Sequence, residues 1–174
     1  MKKAISLSLL IIVVLSLAAC SASKSNSLIE NGAYNITPQE YIDKINSVVD
    51  DQEDSRYLHI PDFEDSGDSI DIDFIYLTLE LTTNDIGNIT EIYYTWDGSR
   101  QDVGYSLGLY LGYTCELLGI SNSDTIFDKL DMMNYTSPSY ETTCTENGTL
   151  FSYSTIGSGQ FNYLTICPVP SDVK

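Results

Sequence analysis

The dipeptide Asn147-Gly148 separates two segments, residues 139–145 and 149–156, that are rich in threonine, tyrosine and other residues favoured in β-strands. Asn-Gly is strongly preferred in two-residue hairpin turns, because both positions need a positive φ angle. The pattern therefore predicts two antiparallel strands joined by a tight turn. This local constraint requires an antiparallel sheet in the C-terminal part of the chain.

Further strand signals extend this sheet. Residues 160–167 follow a glycine-rich turn and predict another strand. In the first half of the chain, residues 69–81 and 89–96 predict a second hairpin, which we expect to form the centre of the sheet. The apolar residues of 69–81 change from one parity to the other, which indicates a bulge or strong bend near residues 74–75.

Helices are predicted between the strands. Thr37-Pro38-Gln39-Glu40 is a typical helix start, since the threonine can cap, the proline suits the first helical position and the glutamate can complete a capping box. Apolar residues then recur at helical spacing as far as Val49. A second helix is predicted over residues 101–118 and a short third helix near residues 124–133. The buried stripe of the second helix is predicted to contain Val103, Leu107, Tyr110, Leu111, Thr114 and Leu118.

Three glycines, Gly104, Gly108 and Gly112, recur every four residues beside this stripe. Inside a helix, each glycine is expected to cost about 1 kcal/mol relative to alanine. We expect the close approach of another element to offset this loss. Gly119 is well placed to cap the end of the same helix.

The predicted elements follow the order helix, strands, helices, strands. Hairpins rather than strand–helix–strand crossovers indicate a single α+β domain over residues 37–174, in which an antiparallel sheet has helices packed on one face. The sequence shows no internal repeat and no second domain.

The first twenty residues have the features of a secretory signal. Lys2 and Lys3 precede a short apolar run, and small residues lead up to Cys20. The run is shorter than the ~20 apolar residues of a typical spanning helix. Leu17-Ala18-Ala19-Cys20 resembles the lipobox of bacterial lipoproteins. That resemblance implies removal of residues 1–19, a diacylglycerol thioether on Cys20, and a location on the extracytoplasmic face of the cell membrane.

Residues 20–36 are interpreted as the lipidated cysteine followed by a flexible tether that reaches about 20–25 Å. The segment 37–46, Thr-Pro-Gln-Glu-Tyr-Ile-Asp-Lys-Ile-Asn, and the segment 87–92, Gly-Asn-Ile-Thr-Glu-Ile, resemble small uncharacterised lipoproteins of Gram-positive bacteria. That resemblance supplies no catalytic residues.

The sequence contains 25 acidic and 8 basic residues, and its formal net charge is −17. Loss of the signal with its two lysines makes the charge −19. Such a charge argues against nucleic acid as a partner, because phosphates are bound through lysine and arginine. It also argues against a domain that lies flat on an anionic bilayer. Solubility is the simplest role of the acidic residues.

Three cysteines remain when Cys20 carries lipid: Cys115, Cys144 and Cys167. One disulfide with one free thiol, and no disulfide at all, are both compatible with this number. The turn at 147–148 is expected to place Cys144 and Cys167 on opposite sides of the intervening strand, which disfavours a bridge between them. We predict that Cys115 is buried and bridged to Cys144.

The sequence contains one motif of a hydrolase, Gly104-Tyr105-Ser106-Leu107-Gly108, which matches G-x-S-x-G. That chemistry needs the serine on a turn that leaves a strand, with a histidine later in the chain. Here the serine lies in a predicted helix, and the only histidine, His59, comes earlier. A zinc site lacks a ligand set, since there is no C-x-x-C pair. We therefore assign no catalytic residues and expect no enzyme activity.

An acidic segment precedes the first long strand. Asp62, Glu64, Asp68 and Asp73 are spaced as in an EF-hand loop, with Gly67 at the bend. The last ligand is aspartate rather than glutamate, however, and a strand follows instead of a helix. The segment is interpreted as a candidate calcium loop or as a solvated acidic turn. No other cofactor is indicated.

The sequence also contains thirteen tyrosines and one tryptophan, Trp96. Aromatic residues on strands serve the core, or they form a platform for a glycan or a protein when one sheet face is exposed. The strand tyrosines are Tyr76, Tyr93, Tyr94, Tyr153 and Tyr163.

We interpret the protein as a membrane-anchored, non-enzymatic binding or interaction module with an envelope protein or a glycan as its partner. The first alternative is a structural partner of a membrane complex, followed by a calcium-binding surface domain or an enzyme.

Overall fold

A computed structural model of the chain describes residues 28–51, 59–64, 67–74, 76–121, 123–132 and 138–169. The candidate signal peptide, Cys20 and the first part of the tether lie outside the described residues. The helices are α1 (Pro38–Val49), α2 (Gln101–Leu117) and α3 (Ser123–Leu130). The strands are β1 (Ile29–Glu30), β2 (Ala33–Tyr34), β3 (Ser69–Phe74), β4 (Leu77–Thr83), β5 (Ile89–Asp97), β6 (Ser139–Glu146), β7 (Thr149–Ile156) and β8 (Phe161–Pro168).

Six of these strands form one antiparallel sheet in the order β3-β4-β5-β8-β7-β6. The prediction of an α+β domain with an antiparallel sheet is confirmed. The two predicted hairpins form its two halves, and the long-range pairing of β5 with β8 joins them. The centre of the sheet is therefore this junction, not the first hairpin as expected.

The register defines an inner face of the sheet. The side chains opposite one another across neighbouring strands are Ile72, Leu79, Tyr94, Leu164 and Tyr153, and all of them are buried. Tyr94 contacts both α1, through the Tyr41 hydroxyl, and α2, through a stacked Tyr110 ring. Helix α3 packs on β6 and β7. The three described helices thus cover one face, as predicted.

Helix α1 begins as the sequence predicts. The Thr37 hydroxyl accepts from the Glu40 N–H, and the Glu40 carboxylate accepts from the Thr37 N–H, so that two otherwise unpaired donors are satisfied. Helix α2 buries all six residues of its predicted stripe. Gly119, two residues after the end of this helix, has a φ of 68° and lets the N–H of Ile120 reach the Cys115 carbonyl, as in a glycine C-cap.

The expectation for the three helical glycines was wrong. A Cβ atom on Gly104 would meet nothing within 4 Å, and those on Gly108 and Gly112 would lie 3.9 Å from Phe127 and Ser123, an ordinary contact distance. No close approach therefore offsets the loss of helix propensity at these positions. The spacing of the glycines reflects no packing requirement in the described structure.

The bend near residues 74–75 is a complete chain reversal. Phe74 pairs with Leu77, so the expected single strand 69–81 is two strands joined by a two-residue connection. The change of parity was located correctly, but the turn was missed because it contains no glycine or asparagine. Tyr76 occupies the turn with a φ of 67°.

The domain also begins earlier than predicted. Residues 28–36 were assigned to a flexible tether, but strands β1 and β2 form a small hairpin around Asn31 and Gly32, whose φ angles are 53° and 75°. The hairpin is attached to the main sheet, because the Ile36 carbonyl accepts from the Ile89 N–H. Asn31-Gly32 is the same turn signal as Asn147-Gly148, and the strands were missed because each is only two residues long.

A cluster of buried hydroxyl groups ties α1 and α2 to the sheet. The Tyr41 hydroxyl lies 2.6 Å from the Tyr94 hydroxyl and 2.6 Å from the Thr114 hydroxyl. Burial raises the pKa of Tyr41 to about 12, so the group stays protonated over the whole physiological range. The three residues belong to α1, β5 and α2, and their mutual contact fixes the distance between these elements.

We predict that Gly104→Ala raises the free energy of unfolding by about 0.4–1 kcal/mol, since it removes backbone freedom from the unfolded chain without a steric conflict. Gly98→Ala is the matched control, because there a Cβ atom would overlap the Gly159 carbonyl and the Asn162 side chain. Such a conflict typically costs about 1–3 kcal/mol. Urea titrations measure both changes, and a loss of stability in Gly104→Ala would contradict the open surroundings of this residue.

We also predict that Tyr41→Phe lowers the free energy of unfolding by about 1–3 kcal/mol, because it leaves two buried hydroxyls without this partner. Tyr105→Phe serves as the control, since Tyr105 is exposed on α2 and should change the stability by less than about 0.5 kcal/mol. Thermal and urea unfolding of both variants provides the comparison. Equal stabilities would show that the hydroxyl cluster contributes nothing.

Candidate functional site

The face of the sheet opposite the helices is its outer face. One row of opposed residues across it contains Asp73, Thr78, Thr95, Tyr163, Ser154 and Glu141. All of these side chains are half-buried or exposed. Hydroxyl groups dominate this face, and aromatic rings stand among them. An antiparallel sheet with one covered and one solvated face normally alternates apolar and polar residues, so the aromatic residues on this outer face need a separate explanation.

Two tyrosines occupy the middle of the outer face. The rings of Tyr93 on β5 and Tyr163 on β8 are stacked, with centroids 6.4 Å apart and an interplanar angle of 20°. Partial burial, together with the charges of Tyr163, Glu80 and Glu91, raises the pKa of Tyr93. The phenol of Tyr93 therefore remains neutral, and the two rings present a flat aromatic surface between strands of small hydroxyl residues.

A shallow groove lies at one end of this face, and we call it the Tyr76 groove. It has a volume of about 280 Å³. Its lining consists of Tyr76, Thr78, Thr95, Trp96, Asp97, Phe161, Asn162 and Tyr163. The Tyr76 and Phe161 side chains are 55% and 51% exposed, which is unusual for large aromatic residues and marks a candidate contact surface.

The pairing of the strands brings three of these residues into one row. The Asp97 N–H donates to the Tyr76 carbonyl, and Asp97 is paired with Phe161 across β5 and β8. Tyr76, Asp97 and Phe161 therefore stand on adjacent segments, with the carboxylate between the two aromatic residues.

Tyr76 has a strained backbone. Its φ of 67° belongs to the left-handed region, which a bulky residue enters at a loss of about 1–3 kcal/mol. The Arg100 guanidinium lies 4.2 Å from the centroid of the Tyr76 ring, within the range of a cation–π contact. This contact, together with the Asp97 hydrogen bond, holds the aromatic ring at the rim of the groove.

Asp97 carries a negative charge at neutral pH. Its carboxylate accepts a hydrogen bond of 2.9 Å from the Ser99 N–H. That bond, a second one from the Ser99 side chain and the nearby charge of Arg100 lower the pKa of Asp97. The groove thus combines two exposed rings with one ionised carboxylate.

Buried hydrogen bonds support the groove from below. The Asn162 amide donates to the Gly159 carbonyl at 2.9 Å and accepts from the Tyr153 hydroxyl at 2.7 Å. Gly98 donates to the Gln160 carbonyl, and the absence of a side chain at Gly98 lets the loop approach Gly159 closely. The loop after β5 and the loop before β8 are therefore locked together, which fixes the positions of Asp97 and Phe161.

The four predicted calcium ligands are not brought together into a site by the described structure. Asp62, Glu64 and Asp68 are exposed, and Asp73 accepts a 2.6 Å hydrogen bond from the Thr78 hydroxyl on the outer face. Within residues 28–51, 59–64, 67–74, 76–121, 123–132 and 138–169, no group of three or more His, Cys, Asp or Glu side chains is arranged to hold a metal ion. Residues 65 and 66 of the loop lie outside this part, and the calcium loop stays a prediction.

The G-x-S-x-G match has no histidine partner. Ser106 lies within α2, as predicted, and it is fully buried. His59 is exposed, and its Nε2 lies 3.7 Å from the Asp50 carboxylate at the C-terminal end of α1. The two residues thus have different surroundings, and neither lies in the Tyr76 groove.

The cysteines lie on both faces of the sheet. Cys144 is opposite Phe151 on the inner face, whereas Cys167 is opposite Leu150 on the outer face, and β7 separates them. This agrees with the expected register. Cys115 is buried, and burial raises its pKa to about 12, with a smaller contribution from Cys144. The three thiols are unlinked in the structure, so the bridge from Cys115 to Cys144 stays a prediction.

Sequence reasoning named Tyr76 and Tyr163 as strand aromatics but missed Asp97 and Phe161. Asp97 was treated only as the end of a strand, and Phe161 as one residue of a C-terminal strand. The pairing of β5 with β8 joins them across more than 60 residues of sequence. No local signal indicates that pairing.

No protein family model matches the chain, and the searches of curated proteins and of solved structures found no similar protein. Among the described residues, no helix combines the length and the apolar character that a membrane span needs.

We predict that Cys115 reacts with iodoacetamide more slowly than Cys144 and Cys167 in the folded, reduced protein, because it is buried and its thiolate is disfavoured. Labelling followed by peptide mass spectrometry measures the three rates. Mapping of the unreduced protein tests the predicted bridge. A peptide in which Cys144 is joined to Cys167 would contradict the register of β6, β7 and β8.

Proposed function

We propose that the protein is a lipoprotein anchored through Cys20 on the extracytoplasmic face of the membrane, and that it acts as a non-enzymatic binding module. The observation that supports this proposal best is the difference between the two sheet faces. The inner face is covered by helices, whereas the outer face presents stacked tyrosines and the Tyr76 groove. A shallow groove on a rigid sheet suits recognition better than a reaction that must exclude water.

The position of the N-terminal hairpin supports this role. Ile29 packs at Gly148, in the turn between β6 and β7, and Ile36 bonds to Ile89 at the start of β5. The groove lies at the other end of β5, about 25 Å away for a strand of this length. A lipid on Cys20 would therefore be attached near one end of the sheet, and the groove would lie at the opposite end, available to a partner.

The alternative role as a structural partner in a membrane complex rests on β6. This strand of eight residues pairs with β7 in the described structure and forms one edge of the sheet. An edge strand can add a strand from another protein. That mode of assembly would use β6 rather than the Tyr76 groove, so the two proposals are separable by position.

The proposal is tested by photo-crosslinking in a bacterial host that processes lipoproteins. Benzoylphenylalanine replaces Phe161 in the groove, Tyr105 on the helical side, or Thr143 on β6, and irradiation follows in intact cells. Phe161 and Tyr105 are matched controls for one another, because both are aromatic and about half exposed. We expect adducts at position 161 and none above background at position 105.

Two outcomes decide between the roles. Adducts confined to position 143 would favour assembly through the edge strand, and equal yields at 161 and 105 would contradict recognition by the outer face. Mass spectrometry of the same samples also determines the N-terminal residue. An unmodified N-terminus at a residue other than Cys20 would contradict the lipid anchor.

A further inference from the structure

We propose that the Tyr76 groove binds a small organic cation of the trimethylammonium class. This inference rests on the proposed binding function of the outer face and names the chemistry of the ligand. It follows from the arrangement of rings and charge in the groove, from a cation that already contacts one ring, and from the volume and position of the groove.

The first argument is the spacing of the aromatic residues. Tyr76 and Phe161 belong to segments on either side of β5, so their backbones are about two strand spacings, or ~9.6 Å, apart. Cation–π contacts extend to about 6 Å from a ring centroid. This spacing allows a single ammonium group between the two residues to be within the cation–π range of both, and Tyr163 also lines the groove.

The second argument is charge. Asp97 stands between the two aromatic residues and is ionised, since its pKa is lowered by Ser99 and Arg100. Arg100 is not part of the groove lining. The lining therefore contains one carboxylate and no cationic side chain, in a chain with a net charge of −17. Asp97 and the negative net charge of the chain favour a cation over an anion, although the Arg100 guanidinium beside Tyr76 offsets part of the Asp97 charge.

The third argument comes from the molecule itself. The Arg100 guanidinium stacks on the Tyr76 ring at 4.2 Å. The ring thus already accepts a cation at its rim, in an orientation set by the left-handed backbone of Tyr76.

The last argument is size and position. The volume of about 280 Å³ lies just below the ~300–1,000 Å³ of typical ligand sites, which favours a small ligand over an oligosaccharide. The groove is also at the end of the sheet remote from the N-terminal hairpin. This position favours a soluble cation over a headgroup of the membrane that holds the protein.

Isothermal titration calorimetry makes the inference measurable, because the single tryptophan, Trp96, is buried on the inner face against Tyr153 and does not report directly on the groove. We would titrate the full lipoprotein in nonionic detergent with choline chloride and follow the heat of binding. The decisive control is 3,3-dimethyl-1-butanol, a neutral molecule with nearly the shape of choline. We expect a saturable change with choline, none with the alcohol at equal concentration, and none with sodium chloride of matched ionic strength.

Three variants locate the site. Phe161→Leu is expected to weaken choline binding about two- to fivefold, as the loss of one exposed cation–π contact predicts. Asp97→Asn should weaken it more, by about tenfold, since it removes the central charge while it keeps an acceptor for Ser99. Asp71→Asn is the matched control, because Asp71 is an exposed acid of the same face on β3, outside the groove. It should leave the affinity unchanged.

The outcomes separate this inference from the proposed function. Equal binding of choline and its neutral isostere, or unchanged affinity in Asp97→Asn, would overturn cation recognition. Saturation by a neutral disaccharide in place of choline would also overturn cation recognition, but it would be compatible with a binding function. Crosslinks at position 161 would likewise support a binding function even if choline does not bind.

Phosphatidylcholine vesicles are tested in a parallel experiment. A response to vesicles as well as to free choline supports trimethylammonium recognition from both sources, and a response to free choline alone assigns it to a soluble ligand.

Discussion

The contact of the Tyr41 hydroxyl with the hydroxyls of Tyr94 and Thr114 is the constraint on which the arrangement of layers depends. Burial of a tyrosine is less costly when its hydroxyl has a partner, since an unpaired polar group in the core is destabilising. Here α1, α2 and the central strand β5 each supply one group. The helices are therefore fixed over one face of the sheet, and the opposite face remains open.

Tyrosines lie on both faces of the sheet, and their hydroxyls are accommodated differently on each face. Successive side chains of a strand point to opposite faces of the sheet. Tyr94 on β5 and Tyr153 on β7 therefore point into the core, whereas Tyr93 on β5 and Tyr163 on β8 point outward. The inner tyrosines satisfy their hydroxyls within the protein, through Tyr41 and Asn162. The outer tyrosines keep a polar edge in water and a ring that is available for contact, a combination that is frequent at binding surfaces.

Much of the fold was predictable from local signals. The capping box at Thr37 and Glu40, the stripe of α2 and the Asn147-Gly148 hairpin each have a physical basis within a few residues of sequence, and each is present. The turn at Tyr76 was missed because it uses a strained aromatic residue where glycine or asparagine is preferred. A rule of local preference fails where the structure stabilises an unfavourable conformation through contacts such as that of Arg100.

The groove was beyond prediction for a different reason. Its residues come from three segments, and only the pairing of β5 with β8 decides that Asp97 stands beside Phe161. Both parities of the strands carry apolar or aromatic side chains, so the alternation does not reveal the exposed face.

The chemistry of the groove follows from the same pairing. Gly98 and Gly159 allow the two loops to meet without side chains between them, the Gly98 N–H joins the loops by donating to the Gln160 carbonyl, and Asn162 holds the loop before β8 by donating to the Gly159 carbonyl. The carboxylate and the two rings are therefore held on rigid backbone, and a ligand would lose little free energy in ordering them. Strain at Tyr76 is consistent with this arrangement, since a conformation that is unfavourable for folding persists at the rim of a groove that joins aromatic rings to an ionised acid.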